Sequence, residues 1–474
     1  MRIHTNSLAL SLSLALTLIA GAAAAGPTAK LPERLPPLAA DKALPVPQIA
    51  QKTLANGLQV WVVPRQGLPR VDFALTVRNA GYASDATDAP GFSALYSGLL
   101  VEGTAKRDAK AIAEAAQSYG GVIGAMPYND GLTLSGYALP SQAASMMQLL
   151  SEVAEGASFP DDEVKLAKAN ALQGLKAQQS QPSFKATRAL LATTYGDHPY
   201  ARTQPTEAAI NAVTAETMRA EHARRFRPDR ALLVVTGRIS AEEGFKSAEA
   251  AFGDWKASGE PIADVAPARS SAPAQRVFVQ RDGSVQSALR LGRPAIAATD
   301  ADYIPAQLAG IVLGGGFSSR LMQKLREEKG YTYGARGGLS AFRAGGAVQA
   351  SADVRNEVTG AAIGEFIYEL GRLSDYPVPA QELEDTKRYV AGGYLINNQL
   401  QASVASSLAS NWLYGLPPEF LGEYVPKVRA VSAEQVQAMA KKYYAVKDQS
   451  IIVVGDYKAV QSQLKEYGEF KQEK

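Results

Sequence analysis

Residues Val213–Gly237 read VTAETMRAEHARRFRPDRALLVVTG, and Val431–Gly455 read VSAEQVQAMAKKYYAVKDQSIIVVG. The two stretches align without a gap at a constant offset of 218 residues. Val213, Ala215, Glu216 and Ala220 recur as Val431, Ala433, Glu434 and Ala438, and Gly237 recurs as Gly455. In both copies a hydroxyl residue, Thr214 or Ser432, precedes an amphipathic stretch and can cap it as a helix. Ser432 and Gln435 have the spacing of a capping box; the first copy offers only Thr217 there, so its box reads as incomplete. Each helix then leads into a short β-branched strand, Ala231–Val235 or Ser450–Val454, closed by glycine.

Two more matches extend the repeat. Phe159-Pro160-Asp161-Asp162-Glu163 opens a helix in the first half, and Val378-Pro379-Ala380-Gln381-Glu382 opens one in the second. Val71, Phe73, Leu75 and Val77 alternate as a half-buried strand would, as do Val285, Ser287, Leu289 and Leu291. Three matches in one order predict two homologous α+β domains, 46–255 and 275–470. The Pro/Ala/Ser-rich stretch 256–274 lacks apolar periodicity and reads as the linker. Strands come first in each copy, helices follow and a strand returns, which predicts a mostly antiparallel sheet covered on one face by helices. Two such halves on a linker can close like a shell around an extended ligand.

Composition narrows the function. With 46% hydrophobic and 20% charged residues the chain can fill ordinary globular cores. A net charge of +3, with no basic stripe interleaved with aromatics, gives no nucleic-acid footprint. The absence of cysteine excludes disulfides, thiolate metal sites and cysteine nucleophiles together. At the N-terminus, Arg2 and His4 precede an apolar run, Leu8 to Ile19, then small residues with an Ala-x-Ala site at Ala23 and Ala25. That is the pattern of a secretory signal peptide over 1–25, cleaved near Ala25, with a Pro-rich flexible leader over 26–45. It predicts export to the periplasm, with no membrane attachment after cleavage. No other segment approaches transmembrane length.

Several motifs carry a family resemblance. Leu54–Pro64 (LANGLQVWVVP), Gly91-Phe92-Ser93 leading to Val101-Glu102-Gly103-Thr104, and Tyr119-Gly120-Gly121 resemble the first domain of M16 (pitrilysin- or insulinase-like) peptidases. Leu313–Gly334 (LGGGFSSRLMQKLREEKGYTYG) resembles the glycine-rich segment and Arg/Tyr motif of that family's second domain. The resemblance implies two-domain architecture, zinc chemistry and peptide substrates. The zinc motif of such enzymes is H-x-x-E-H on a helix, two imidazoles binding metal and the Glu acting as general base. Counted back from Gly103-Thr104, its three positions hold Ala94, Ser97 and Gly98, and the third ligand, a Glu, falls near Gly174. No Glu occurs between Glu163 and Glu207. Beyond His4 only His198 and His222 are present, 24 residues apart and without metal-binding spacing. His198 reads as structural, and His222 as a surface or half-buried residue. The expectation is therefore no catalytic group and no cofactor in this chain, with zinc on a partner.

The second half keeps what the first has lost. Arg326 and Tyr333 match the Arg and Tyr that the family uses beside the scissile bond, where a guanidinium can fork onto carbonyl oxygens and a phenol can donate to an oxyanion. The plainer alternative is that Arg326 pairs with Glu327 or Glu328 and Tyr333 fills core. Gly314, Gly315 and Gly316 are either a turn between two helices or a substrate-contacting loop; no Gly-Lys-Ser/Thr follows, so they are not a phosphate loop. Leu132–Leu139 resembles the family's edge strand, which takes peptides by strand addition. These features predict a non-catalytic, substrate-binding subunit that completes the site of an M16 partner with an intact motif. The alternative is an inactive relative with a structural or peptide-binding role. A hydrolase with another site finds no support: there is no G-x-S-x-G and no paired His and nucleophile.

Overall fold

A computed structural model describes residues 47–473; the expected signal peptide and leader lie outside the described residues. The first half runs β1 (Ala50–Thr53), β2 (Gln59–Pro64), β3 (Val71–Arg78), α1 (Phe92–Leu99), α2 (Ala109–Ser118), β4 (Val122–Pro127) and β5 (Gly131–Ala138). It continues with α3 (Ala143–Gly156), α4 (Asp161–Gln179), α5 (Pro182–Tyr195), α6 (Glu207–Ala212), α7 (Ala215–Arg225), β6 (Ala231–Gly237) and α8 (Ala241–Phe252). The second half runs β7 (Arg276–Gln280), β8 (Gln286–Ala295), α9 (Tyr303–Gly314), β9 (Ala335–Ala341), β10 (Gly346–Arg355), α10 (Thr359–Asp375) and α11 (Ala380–Asn397). It ends with α12 (Gln401–Tyr414), α13 (Phe420–Ala430), α14 (Ala433–Tyr443), β11 (Ser450–Gly455), α15 (Tyr457–Leu464) and β12 (Lys471–Glu473).

Each half builds one six-stranded sheet, in the orders β1-β2-β6-β3-β5-β4 and β12-β7-β11-β8-β10-β9. The orders correspond strand for strand, except that β12, running parallel to β7, stands where β1 runs antiparallel to β2. The remaining pairs are antiparallel apart from β2 with β6 and β7 with β11. Register corrects one part of the repeat. Leu75 lies opposite Leu233 and Leu134, and Leu291 lies opposite Ile451 and Ala350. Leu291 is thus the counterpart of Leu75, two residues away from the sequence match. Val285, 80% exposed, precedes the strand altogether. A two-residue slip keeps the same side chains on the same face, so alternation alone cannot detect it.

The cap of α7 is a second correction. Thr217 N–H donates to Thr214 Oγ1 at 3.1 Å, and Thr214 N–H donates to Thr217 Oγ1 at 3.0 Å, so the box closes in this copy as well. A threonine hydroxyl accepts as a Glu carboxylate would once the turn brings it within reach.

Each sheet buries one face under helices of its own half. In the first half Phe73, Leu75, Leu134 and Leu233 pack with Tyr96, Met146, Leu150 and Phe252. The other face is covered by a helix from the opposite half. α12 lays Val404, Leu408, Trp412 and Leu413 on Trp61, Val63, Leu232 and Val234. α5 lays Ala186, Ala189 and Leu190 on Val277, Val279, Ile452 and Val454. The linker has no helix or strand between α8 and β7 but is tied along its length. Asp264 accepts from Asn79 and Arg230 of the first half (2.7 and 2.9 Å) and from Arg343 of the second (3.3 Å). His198 Nε2 donates to Ala266 O at 2.9 Å while its Nδ1 accepts from Tyr200 N–H, a structural role.

Candidate functional site

Gly91 starts α1 in the left-handed region, φ 77°, where a Cβ would strike Pro205 at 2.8 Å. Only glycine fits both the angle and the approach. The next turn is held from outside the helix. The Asp85 carboxylate accepts from Ser93 N–H at 3.1 Å and from Ser93 Oγ at 2.5 Å, and pairs with buried Arg225 at 3.2 Å. Burial pushes the Asp85 carboxyl up, against the Arg225 charge and the Ser93 hydrogen bonds that lower it. One turn on, Tyr96 OH meets His222 Nδ1 at 2.7 Å, and the His222 ring stacks on Phe226 and abuts Phe159. His222 is thus a core residue, not a surface one, and burial pushes its imidazole down to about 4.

On this frame the four positions expected to correspond to a zinc motif can be placed. Ala94 and Gly98 are exposed on α1, Ser97 is buried with its Oγ donating to Ala94 O at 3.0 Å, and Gly174 is half-buried on the adjoining α4. A Cβ at Gly98 or Gly174 would meet nothing within 4 Å. The two helices still face one another, but they present a methyl, a self-satisfied hydroxyl and two bare glycines. That donor set does not fit a zinc ion, which takes imidazole, thiolate or carboxylate. Among the described residues no group of three or more His, Asp or Glu side chains is arranged to hold a metal.

The second-half motif lies between α9 and β9. A Cβ at Gly314 would sit 2.0 Å from Gly337 N, so this glycine lets the end of α9 lie directly on β9. Gly315 caps the helix, and Gly316 turns beside the Tyr389 ring of α11, where a Cβ would stand 3.4 Å from the ring. Gly314 thus ends α9, and Gly315 and Gly316 open the turn into a second helical segment. From Met322 to Glu328 that segment is wound as a π-helix, a widened turn frequently found at functional positions. Arg326 projects from it, half-exposed, with its guanidinium 5.0 Å from the Phe317 ring centroid and 3.2 Å from Glu327. The expected Glu327 pairing is therefore real, but partly in solvent. Tyr333 does not fill core: it is 93% exposed and makes no hydrogen bond to the described residues. The structure brings Arg326 to the glycine turn through Phe317 and leaves Tyr333 standing at the entry to β9.

Strand order corrects the expected peptide-binding edge. β5, which contains Leu132, lies inside the sheet between β3 and β4, and the edge on that side is β4. Both strands are short and apolar, and nothing in the sequence says which of a hairpin pair ends the sheet. Val122 and Met126 on β4 are 52% and 60% exposed. In the second sheet β9, the strand that Tyr333 leads into, holds the same edge position. Two residues escaped the sequence reading: Phe317, 71% exposed, and Tyr389, exposed beside Gly316. Phe317 could have been suspected, because a large aromatic directly after three glycines has little chain of its own to pack against.

Comparison with known proteins agrees with this geometry. A family profile described as Insulinase (Peptidase family M16) matches residues 65–205, and one described as Peptidase M16 inactive domain matches residues 212–390. The uncharacterized zinc protease YmxG of Bacillus subtilis is 24% identical over 84% of this chain and 96% of its own length. The non-peptidase homolog YmxG of Helicobacter pylori is 22% identical over 82% and 90%. A crystal structure described as the peptidase M16 inactive domain from Pseudomonas fluorescens superposes with a TM-score of 0.81 at 26% identity, covering 86% of this chain and 98% of that one. By its duplicated sheets, its motifs and these matches, the chain belongs to the M16 peptidase family.

Proposed function

We propose that this chain is the non-catalytic, substrate-binding subunit of a heteromeric zinc-dependent M16 peptidase acting on peptides in the periplasm. The observation that carries the reading is asymmetric loss: Ala94, Ser97, Gly98 and Gly174 offer no metal donor, while Arg326 and Tyr333 are kept and face solvent. A partner chain with an intact H-x-x-E-H helix supplies zinc and general base. This chain supplies a guanidinium able to fork onto peptide carbonyls, a free phenol and open strand edges that can take an extended peptide. The signal-like residues 1–25 support export of this subunit, and a partner sharing its site would have to reach the same compartment.

Peptide cleavage is measured for this protein, for the candidate M16 partner and for their mixture, with zinc assayed in each. Activity confined to the mixture, with zinc on the partner, is the expected result. Arg326→Ala then lowers mixed activity by roughly two orders of magnitude without preventing assembly. Full activity in that variant sinks the shared-site reading. The second reading, an M16 homologue that has left proteolysis for a structural or peptide-binding role, draws support from the Helicobacter relative's description as a non-peptidase homolog. It predicts that mixing changes nothing and that Arg326 and Tyr333 tolerate substitution.

A further inference from the structure

Arg320 is the first helical residue after the glycine turn and stands two residues before the π-helix. It is buried, and its Nε and Nη2 donate to the two carboxylate oxygens of Glu382 on α11, at 2.8 and 2.9 Å. A planar fork on a carboxylate fixes orientation as well as distance, which an ammonium would not. Behind it on α10 lies Glu369, 1% exposed, with Arg372 at 3.4 Å. The charges of Arg372, Arg320 and Lys324 act on it, and Lys324 in turn pairs with Glu328 within the π-helix. Lys329, just past that helix, reaches Glu365 of α10 at 3.6 Å. The glycine turn is tightened by Ser319, whose Oγ donates to Gly316 O at 2.5 Å.

Every ionic tie of the segment thus runs to α10, to α11 or within the segment itself. Arg320 is the buried one, placed between the turn that carries Phe317 and the π-helix that carries Arg326. We propose that Arg320 is the positioning residue of the peptide-contacting segment: its fork on Glu382 holds turn and π-helix in place and so sets where Arg326 and Phe317 stand. The inference rests on reading Arg326 as a peptide-binding group, and it acts through that residue rather than on the peptide itself.

The test begins with the whole chain alone. Amide hydrogen exchange across 314–334 is compared in wild type, Arg320→Gln, Glu382→Gln and the charge-reversed pair Arg320→Glu with Glu382→Arg. Each single variant speeds exchange in this segment on the order of tenfold, leaving the two sheets unchanged, and the reversed pair restores it. Glu382→Gln changes a half-exposed partner and keeps the test alive should Arg320→Gln fold poorly. In the mixture with the catalytic partner, Arg320→Gln lowers kcat/KM about tenfold on a fluorescently labelled tryptic digest of casein, and the reversed pair recovers it. Wild-type exchange in both single variants overturns the proposal, as does failure of the folded reversed pair to restore it. Arg326→Ala, run alongside, separates the two readings: full activity there overturns the peptide role of Arg326 and leaves exchange to decide what Arg320 holds.

Discussion

His222 is held neutral inside the first-half core between Tyr96, Phe159 and Phe226. In the unfolded chain its imidazole takes a proton near 6.5, whereas the folded one resists until about 4. Between those values protons bind the unfolded chain preferentially. The stability owed to neutral His222 is therefore complete above 6.5 and is lost as pH falls towards 4. Wild-type unfolding free energy minus that of His222→Phe should decline through this window, by at most about 1.4 kcal/mol per pH unit. Chemical denaturation of the two proteins at a series of pH values measures the difference. A difference flat in pH would mean that the imidazole takes its proton in the folded state without penalty. The repeat mate of His222, Ala440, is fully buried. A histidine opposite an alanine in a duplicated helix does not say which side faces the core, and the partner hydroxyl, Tyr96, lies 126 residues away and leaves no local trace.

At the scale of elements, α1 and α4, which carry the four positions expected of a zinc motif, still pack against one another. Gly98 and Gly174 lie in helices where a Cβ meets nothing within 4 Å, and replacing a helical glycine adds up to about 1 kcal/mol of helix preference. The fourfold variant Ala94→His, Ser97→Glu, Gly98→His and Gly174→Glu should fold and retain about one zinc ion per chain after gel filtration, as read by elemental analysis. A folded variant that holds no zinc would show that the helices have drifted from the spacing a metal requires. Element types were readable from the sequence because capping residues, alternation and glycine stops are local. The order of strands was not. β4 and β5 are alike as strings, and which one ends the sheet depends on whether β3 pairs with it across a gap of more than fifty residues.

For the whole molecule, the decisive contacts are the two helices lent across the halves. An apolar stripe on α12 announces that it must be covered, yet no local signal names the sheet that will do it. The sequence reading places helices on one face of each sheet; the structure also seals the second face, with a helix from the other half. Residues 47–255 made alone would leave Trp61, Val63, Leu232 and Val234 in water, each large side chain forgoing roughly 1.5–3 kcal/mol of burial. That fragment should bind a hydrophobic dye and aggregate, and co-expression with residues 256–473 should recover soluble material. A soluble, cooperatively unfolding first half would show that α12 is dispensable to its core.

The same loan of helices sets a timetable. α12 follows β3 by more than three hundred residues, so a ribosome must deliver nearly the whole polypeptide before the first sheet can be roofed. Until then a nascent chain carries an open tryptophan-bearing flank, which invites a holding chaperone and rewards slow, unbroken delivery. A chain severed late in its synthesis would forfeit not its tail but its beginning.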